Sequence, residues 1–181
     1  MSKTQVIFSV GRGNYSFDSL YVRAVEVRPD IKLLPGAPEC ISGLVDLRGE
    51  LVPILDLHKK FNTGLTSSAE SDVIFVNTAE GCLGCIVDKV VEIGAVTEDI
   101  EIELPYLIRT ASTEYIDEIV SYKDGLVTAI NQDRLLSGEE KASLAKVFDK
   151  AKKKAEKEAE KKAAKEAEEA AKAAAEEEKN E

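Results

Sequence analysis

Residues 41–61, reading ISGLVDLRGELVPILDLHKKF, constrain the fold of this chain more than any other stretch. Two aliphatic runs flank Arg48 and Gly49, and the small residues Ser42 and Gly43 lead into the first run as a turn. Glycine adopts backbone angles that are closed to other residues, and aliphatic runs of this length are typical of buried strands. The segment therefore predicts a strand, a reversal that carries Arg48, and a second strand.

Three more short turns separate β-rich runs, at residues 11–14, 79–81 and 123–125. Short reversals between such runs predict antiparallel hairpins. The second strand of the 41–61 segment contains Pro53, which cannot donate a ladder hydrogen bond, so we expect this strand to lie at a sheet edge or a bulge. The chain is predicted to be mostly β.

The stretch GLVDLRGELVPILDL closely resembles the signature of the bacterial chemotaxis coupling proteins, the CheW family. VIFSVGRGNYSFDSLYVRAVEVR is similar to the first strands of that family, CLGCIVDKVVEIGAV to a later hairpin strand, and ASTEYIDEIVSYKDGLVTAINQDRLL to the closing strands and last helix. These matches cover nearly all of residues 5–147 in the right order. One departure from the family pattern is Asp46, where the family usually has Asn. It matters because a carboxylate two residues from Arg48 can change which partner the arginine engages.

The resemblance implies a fold and a function. The fold is two small five-stranded, SH3-like β-barrel subdomains packed side by side over a hydrophobic seam, with a C-terminal helix, all within residues 1–150. The function is that of a non-enzymatic adaptor, which couples the cytoplasmic tip of chemoreceptors to the regulatory domain of a chemotaxis histidine kinase in a signalling array. The alternative is a similar scaffold that recruits another partner, such as a receptor-modifying enzyme or another coupling-type subunit.

Five positions match family segments that take part in coupling. Ala24, Val25 and Glu26 correspond to a segment implicated in partner contact, and Gly43 and Arg48 correspond to residues on which receptor and kinase coupling depends.

Each of these five positions also has a structural reading. Arg48 is equally compatible with pairing to Asp46 or Asp56 inside the domain, because the guanidinium group suits buried ion pairs as well as interfaces. Gly43 is expected to answer a backbone requirement. Along the strand, Val25 and Val27 alternate with Ala24 and Glu26, so one of these two sets must face the core.

The charge of the chain excludes several classes of partner. A net charge of -10 and an isoelectric point near 4.8 argue against nucleic acid and against docking on an anionic membrane surface. No run of eighteen apolar residues is present, so no insertion into a bilayer is expected. The N-terminus lacks the apolar core of a signal peptide, which predicts a cytoplasmic protein.

The sequence offers little for catalysis, and we expect no enzyme activity, cofactor or metal. Cys82 and Cys85 form a C-x-x-C pair, but on a strand residues three apart point to opposite faces, and only Cys40 and His58 are available as further ligands. A redox or metal-dependent regulator is therefore the least favoured reading. His58, the only histidine, is expected to be structural or exposed rather than catalytic.

Helical signals take over after residue 135. Ser137 is a predicted N-cap, and Leu144, Val147 and Phe148 recur at helical spacing, so this helix should dock on the β body. Residues 151–181 contain nine Lys, ten Glu and no large apolar residue. The tail is predicted to be a solvated helical or frayed spacer, with a partner-contacting arm as the alternative.

Overall fold

A computed structural model of the chain describes residues 2–97, 101–102, 113–123, 125–150 and 153. The strands are β1 (Ser2–Val10), β2 (Gly13–Asp18), β3 (Val22–Val27), β4 (Ile41–Leu47), β5 (Glu50–Asp56), β6 (Asp72–Thr78), β7 (Gly81–Val87), β8 (Lys89–Thr97), β9 (Glu101–Ile102), β10 (Ile116–Tyr122) and β11 (Gly125–Ile130). Helix α1 spans Leu57–Lys60, a 3-10 turn spans Gln132–Arg134, and helix α2 covers 138–150. Apart from position 153, the tail predicted for 151–181 lies outside the described residues, as does Asp124 of the third predicted turn.

The strands form two sheets, which we call the five-stranded lobe and the six-stranded lobe. The five-stranded lobe has the order β3-β6-β7-β5-β4, and the six-stranded lobe has the order β8-β1-β2-β11-β10-β9. The sixth strand of the latter, β9, has only two residues. The prediction of a mostly β fold with two β subdomains and a C-terminal helix is confirmed.

All four predicted reversals join antiparallel neighbours. They connect β1 to β2, β4 to β5, β6 to β7 and β10 to β11. The hairpin prediction succeeded because each turn is a local signal between two strands that are adjacent in the chain.

Of two expectations about the 41–61 segment, the one for Pro53 holds in part and the turn at Ser42 and Gly43 is wrong. Pro53 was expected at a sheet edge or a bulge: β5 is an interior strand between β4 and β7, but its pairing with β7 begins only at Ile54, so Pro53 is paired on one side only, next to the register shift between β4 and β5. Ser42 and Gly43 do not form a turn but belong to β4, where the register with β5 shifts between Ile41 and Gly43. A bulge accommodates the small residues within the strand.

Among the residues that the structure describes, buried apolar side chains form three clusters. One lies within the five-stranded lobe and includes Phe75, and a smaller one lies within the six-stranded lobe and includes Val120. The largest takes side chains from both lobes, with Phe8 and Phe17 on one side and Ile74 on the other. Each fully buried side chain of this size contributes about 1.5–3 kcal/mol. We call this largest cluster the seam.

Helix α2 begins as the sequence predicts. The Ser137 hydroxyl accepts a hydrogen bond from the Glu140 amide at 3.2 Å, and the Glu140 carboxylate accepts one from the Ser137 amide at 2.7 Å, which is a capping box. Leu144 is buried in the seam and Phe148 packs against it, so the helix docks on the β body. No helix among the described residues is long and apolar enough to cross a membrane.

Candidate functional site

The β4–β5 hairpin presents Arg48 on a tight turn. Leu47 pairs with Glu50, so the loop has two residues, and both have positive φ, 57° at Arg48 and 88° at Gly49. Positive φ at both central residues defines a type I′ turn, whose twist matches that of the strands. The Asp46 carboxylate accepts a 2.6 Å hydrogen bond from the Gly49 amide and closes the turn. The left-handed conformation of Arg48 was not predicted, although the two-residue loop is a signal for it.

Arg48 is exposed and makes no hydrogen bond or ion pair with any residue in the described part of the chain. Pairing with Asp46 or Asp56 inside the domain was the alternative reading, and the structure contradicts it. Asp46 is engaged with Gly49, and Asp56 is buried and accepts hydrogen bonds from the His58 amide at 2.9 Å and from a serine hydroxyl at 3.1 Å. The guanidinium group of Arg48 therefore remains available for a partner.

Gly43 is buried, and its role is steric. Its φ is 152°, and a Cβ at this position would lie 2.2 Å from the carbonyl oxygen of Lys32. Lys32 and Leu44 exchange two backbone hydrogen bonds of 2.8 Å, which hold that carbonyl against β4. The expected backbone requirement at Gly43 is confirmed, and the residue does not reach the surface.

On β3 the two alternating sets of side chains differ in exposure. Val25 and Val27 are exposed, at 42% and 74%, whereas Ala24 is half-buried and packs against the cluster inside the five-stranded lobe. Glu26 is also half-buried. Of the β3 residues predicted to meet a partner, Val25 is the most accessible, and Val27 extends its surface along the strand.

Two residues that the sequence analysis did not single out extend this surface onto the other lobe. Val91 and Ile93 on β8 are 56% and 65% exposed. Ile93 pairs with Val6, a seam residue, just as Val25 pairs with the seam residue Ile74 on the opposite lobe. Val25 and Ile93 therefore continue the seam to the surface, and Val27 and Val91 lie next to them on the same two strands. We call Val25, Val27, Val91 and Ile93 the valine patch.

A carboxylate joins the two halves of the valine patch. Val27 pairs with Asp72 at the start of β6, and the Asp72 carboxylate accepts a 2.8 Å hydrogen bond from the amide of Val90. Val90 directly precedes Val91, so this contact brings the end of β3 to the start of β8. The sequence contains no local signal for it, because it depends on how the two lobes dock.

An ion pair links β3 to the Arg48 turn. The Arg23 guanidinium donates to the Glu50 carboxylate at 2.5 Å, and this bond raises the pKa of Arg23. Glu50 is the residue that follows the turn, so the start of β3 and Arg48 share one end of the five-stranded lobe. Beyond Glu50 and Leu51, an apolar groove of about 490 Å³ runs beneath α2 to Phe148 and extends the apolar surface next to the turn.

The cysteines are placed as the strand geometry predicts. Cys82 packs against the cluster inside the five-stranded lobe, whereas Cys85 is fully buried in the seam on the opposite face of β7. Burial raises the pKa of both thiols. Burial, and then the neighbouring carboxylate of Glu140, raises the pKa of Cys40 to about 11. All three cysteines are free, and the described residues contain no cluster of metal-ligating side chains.

The comparisons with known proteins agree over both lobes. A family model described as "CheW-like domain" matches residues 5–140. "Chemotaxis protein CheW" of Treponema pallidum (strain Nichols) is 27% identical over 145 residues, covering 77% of this chain and 85% of that protein. The protein of the same name from Klebsiella aerogenes is 29% identical over 138 residues, covering 76% and 83%. The solved structure of scaffolding protein TtCheW from Thermoanaerobacter tengcongensis aligns with a TM-score of 0.68 at 29% identity, over 77% of this chain and 91% of that one.

Proposed function

Because this chain belongs to the CheW-like domain family, we propose that it is a non-enzymatic adaptor that couples chemoreceptors to a chemotaxis histidine kinase. It acts in the cytoplasm and reaches the membrane array through protein contacts alone. Its partners are the regulatory domain of the kinase and the cytoplasmic tip of the receptors, and other coupling-type subunits are a further class of partner.

One observation carries this proposal: Arg48 is exposed on a tight turn and has no hydrogen-bond or ion-pair partner among the described residues. A non-glycine residue in the left-handed region costs about 1–2 kcal/mol. An arginine held there with no polar partner in the described part of the chain fits a role in recognition, where its planar group binds carboxylates or carbonyl oxygens of a partner.

The valine patch supplies the second surface that an adaptor needs. An apolar patch that continues a hydrophobic seam to the surface is typical of protein–protein contacts. Glu26 lies on the same edge strand, on the face opposite Val25 and Val27, and adds a charge that favours orientation and specificity more than affinity. Two surfaces of different chemistry suit two different partners.

The test is a pull-down with the full chain as bait. The kinase regulatory domain, the receptor tip and a receptor-modifying enzyme are offered separately and then together. We expect capture of the kinase domain and of the receptor tip, each without displacing the other. Capture of the modifying enzyme alone would overturn the proposal in favour of the alternative scaffold.

A further inference from the structure

His58 is buried and fully hydrogen-bonded. Its side chain is 1% exposed, and its Nε2–H donates to the Asp88 carboxylate at 2.8 Å. Nδ1 shares a 2.9 Å hydrogen bond with the hydroxyl of Thr63, which also accepts the amide of Leu65 at 3.2 Å. A buried imidazole with both nitrogens satisfied holds its neighbours in one geometry, because any displacement leaves a polar atom unpaired.

The partner of His58 belongs to the junction between the lobes. Asp88 lies between β7 of the five-stranded lobe and β8 of the six-stranded lobe. Its second carboxylate oxygen accepts the amide of Gly11 in the β1–β2 turn at 2.6 Å, and its own amide donates to the Ser9 carbonyl at 2.9 Å. Asp88 thus follows β7 of the five-stranded lobe directly and is bonded to the six-stranded lobe, and His58 orients its carboxylate from α1, which follows β5, the parallel neighbour of β7.

The hydrogen bond from His58 to Asp88 adds a directional constraint that the apolar seam does not supply. Hydrophobic contact is non-directional and tolerates small displacements between packed surfaces. Hydrogen bonds lose strength steeply with misalignment, so the bond from His58 to Asp88 holds this carboxylate toward the Gly11 amide and adds to the chain connection from β7 and the Asp72–Val90 bond in placing the start of β8. Val91 and Ile93 follow Asp88 by three and five residues, on the side of the valine patch that the six-stranded lobe contributes.

We infer that His58 is a positioning residue for the valine patch: through Asp88 it sets the spacing between the β3 valines and the β8 side chains. The inference rests on the proposed function only in naming the patch as a docking surface. Arg48 lies on one lobe and does not depend on this spacing. His58 is therefore required by the partner that binds the patch and not by the partner that binds the Arg48 turn.

The structural test is the orientation of the two lobes in solution. Residual dipolar couplings are measured on the full chain, and one alignment tensor should fit both lobes. In His58→Ala we expect each lobe to fit its own tensor. In His58→Gln, whose amide nitrogen can donate to Asp88 as Nε2 does, we expect a common tensor again. Val120→Ala is the control, because it removes a buried side chain inside one lobe without touching the seam. A common tensor in His58→Ala would overturn the inference.

The binding test separates this inference from the proposed function. Val27→Glu first identifies which partner, kinase regulatory domain or receptor tip, binds the patch. The affinity of that partner should fall about tenfold in His58→Ala and recover to within about threefold of the parent in His58→Gln. Affinity for the other partner should stay within about threefold of the parent in both variants. Equal loss for both partners would overturn the inference. Failure of the parent to bind either partner would overturn the proposed function, and the dipolar couplings would still decide the role of His58.

Discussion

The Asp46 carboxylate accepts a 2.6 Å hydrogen bond from the Gly49 amide across the β4–β5 turn. The family resemblance leads us to expect Asn at this position, and an amide oxygen can accept the same bond. The carboxylate therefore closes the turn instead of pairing with Arg48. This departure from the family pattern does not give Arg48 a partner at Asp46.

Substitution of Gly43 tests whether this residue meets a structural requirement of the backbone rather than a partner contact. Gly43→Ala should lower the free energy of unfolding by about 3 kcal/mol or more, because the new Cβ collides with the Lys32 carbonyl and φ is positive. Gly49→Ala is the matched control. Its φ is also positive, but no atom lies within 4 Å of the added Cβ, so the loss should be about 1–2 kcal/mol. Denaturant unfolding of both variants measures the difference, and equal losses would contradict the steric account.

Local patterns in the sequence predicted the hairpins, the Ser137 cap and the opposed faces of Cys82 and Cys85. Each depends on residues close together in the chain, where backbone geometry decides the outcome. The interior position of strand β5 was missed because it depends on which distant strand pairs with β5, and a proline pattern does not contain that information.

The candidate site was predictable only in part. Arg48 and the β3 residues were found through resemblance to a family. Val91, Ile93 and the buried contact of His58 with Asp88 were not, because they arise where two separately formed sheets meet. A lone histidine has no spacing from which a partner can be inferred.

Charge reversal at Glu26 should discriminate between partners. Glu26→Lys places a cation on the edge strand beside Val25 and Val27, and we expect weaker binding to one partner with the other unaffected, since interface charges act mainly on specificity. Titration calorimetry with each partner measures this. Glu139→Lys, an equal change in net charge at the start of α2, is the control and should leave both affinities unaltered. Equal binding of Glu26→Lys and the parent to both partners rules out a role for this carboxylate.

The three thiols should react slowly and in a defined order. Cys82 is half-buried, whereas Cys40 and Cys85 are buried, and burial raises the pKa of all three. Alkylation of native protein at pH 8 should therefore modify Cys82 first, with Cys85 protected until unfolding. Mass spectrometry of timed samples follows the order. Rapid joint oxidation of Cys82 and Cys85 would instead support the redox reading.

Deleting residues 151–181 should leave the domain intact. The segment contains no large apolar side chain, so its removal should change the free energy of unfolding by no more than about 0.5 kcal/mol. We also expect kinase binding to survive, because the proposed surfaces lie in the β body. Thermal unfolding and a kinase pull-down of the truncated protein check both points. A steep loss of either would show that the tail packs or recruits, as would a gain of helical signal when a partner is added to the full chain.

The central claim is that Arg48 couples receptor state to kinase activity, and Arg48→Gly tests it with the least disturbance of the fold. Glycine accepts the positive φ of 57°, so the free energy of unfolding should stay within about 1 kcal/mol of the parent, and Arg48→Ala serves as a second variant. The measurement is receptor-dependent kinase activity in an assembly of receptor tip, kinase and the full chain. The account predicts a loss of about tenfold in both variants while the domain remains folded. Unchanged kinase activation by two folded variants that lack the guanidinium group would contradict it.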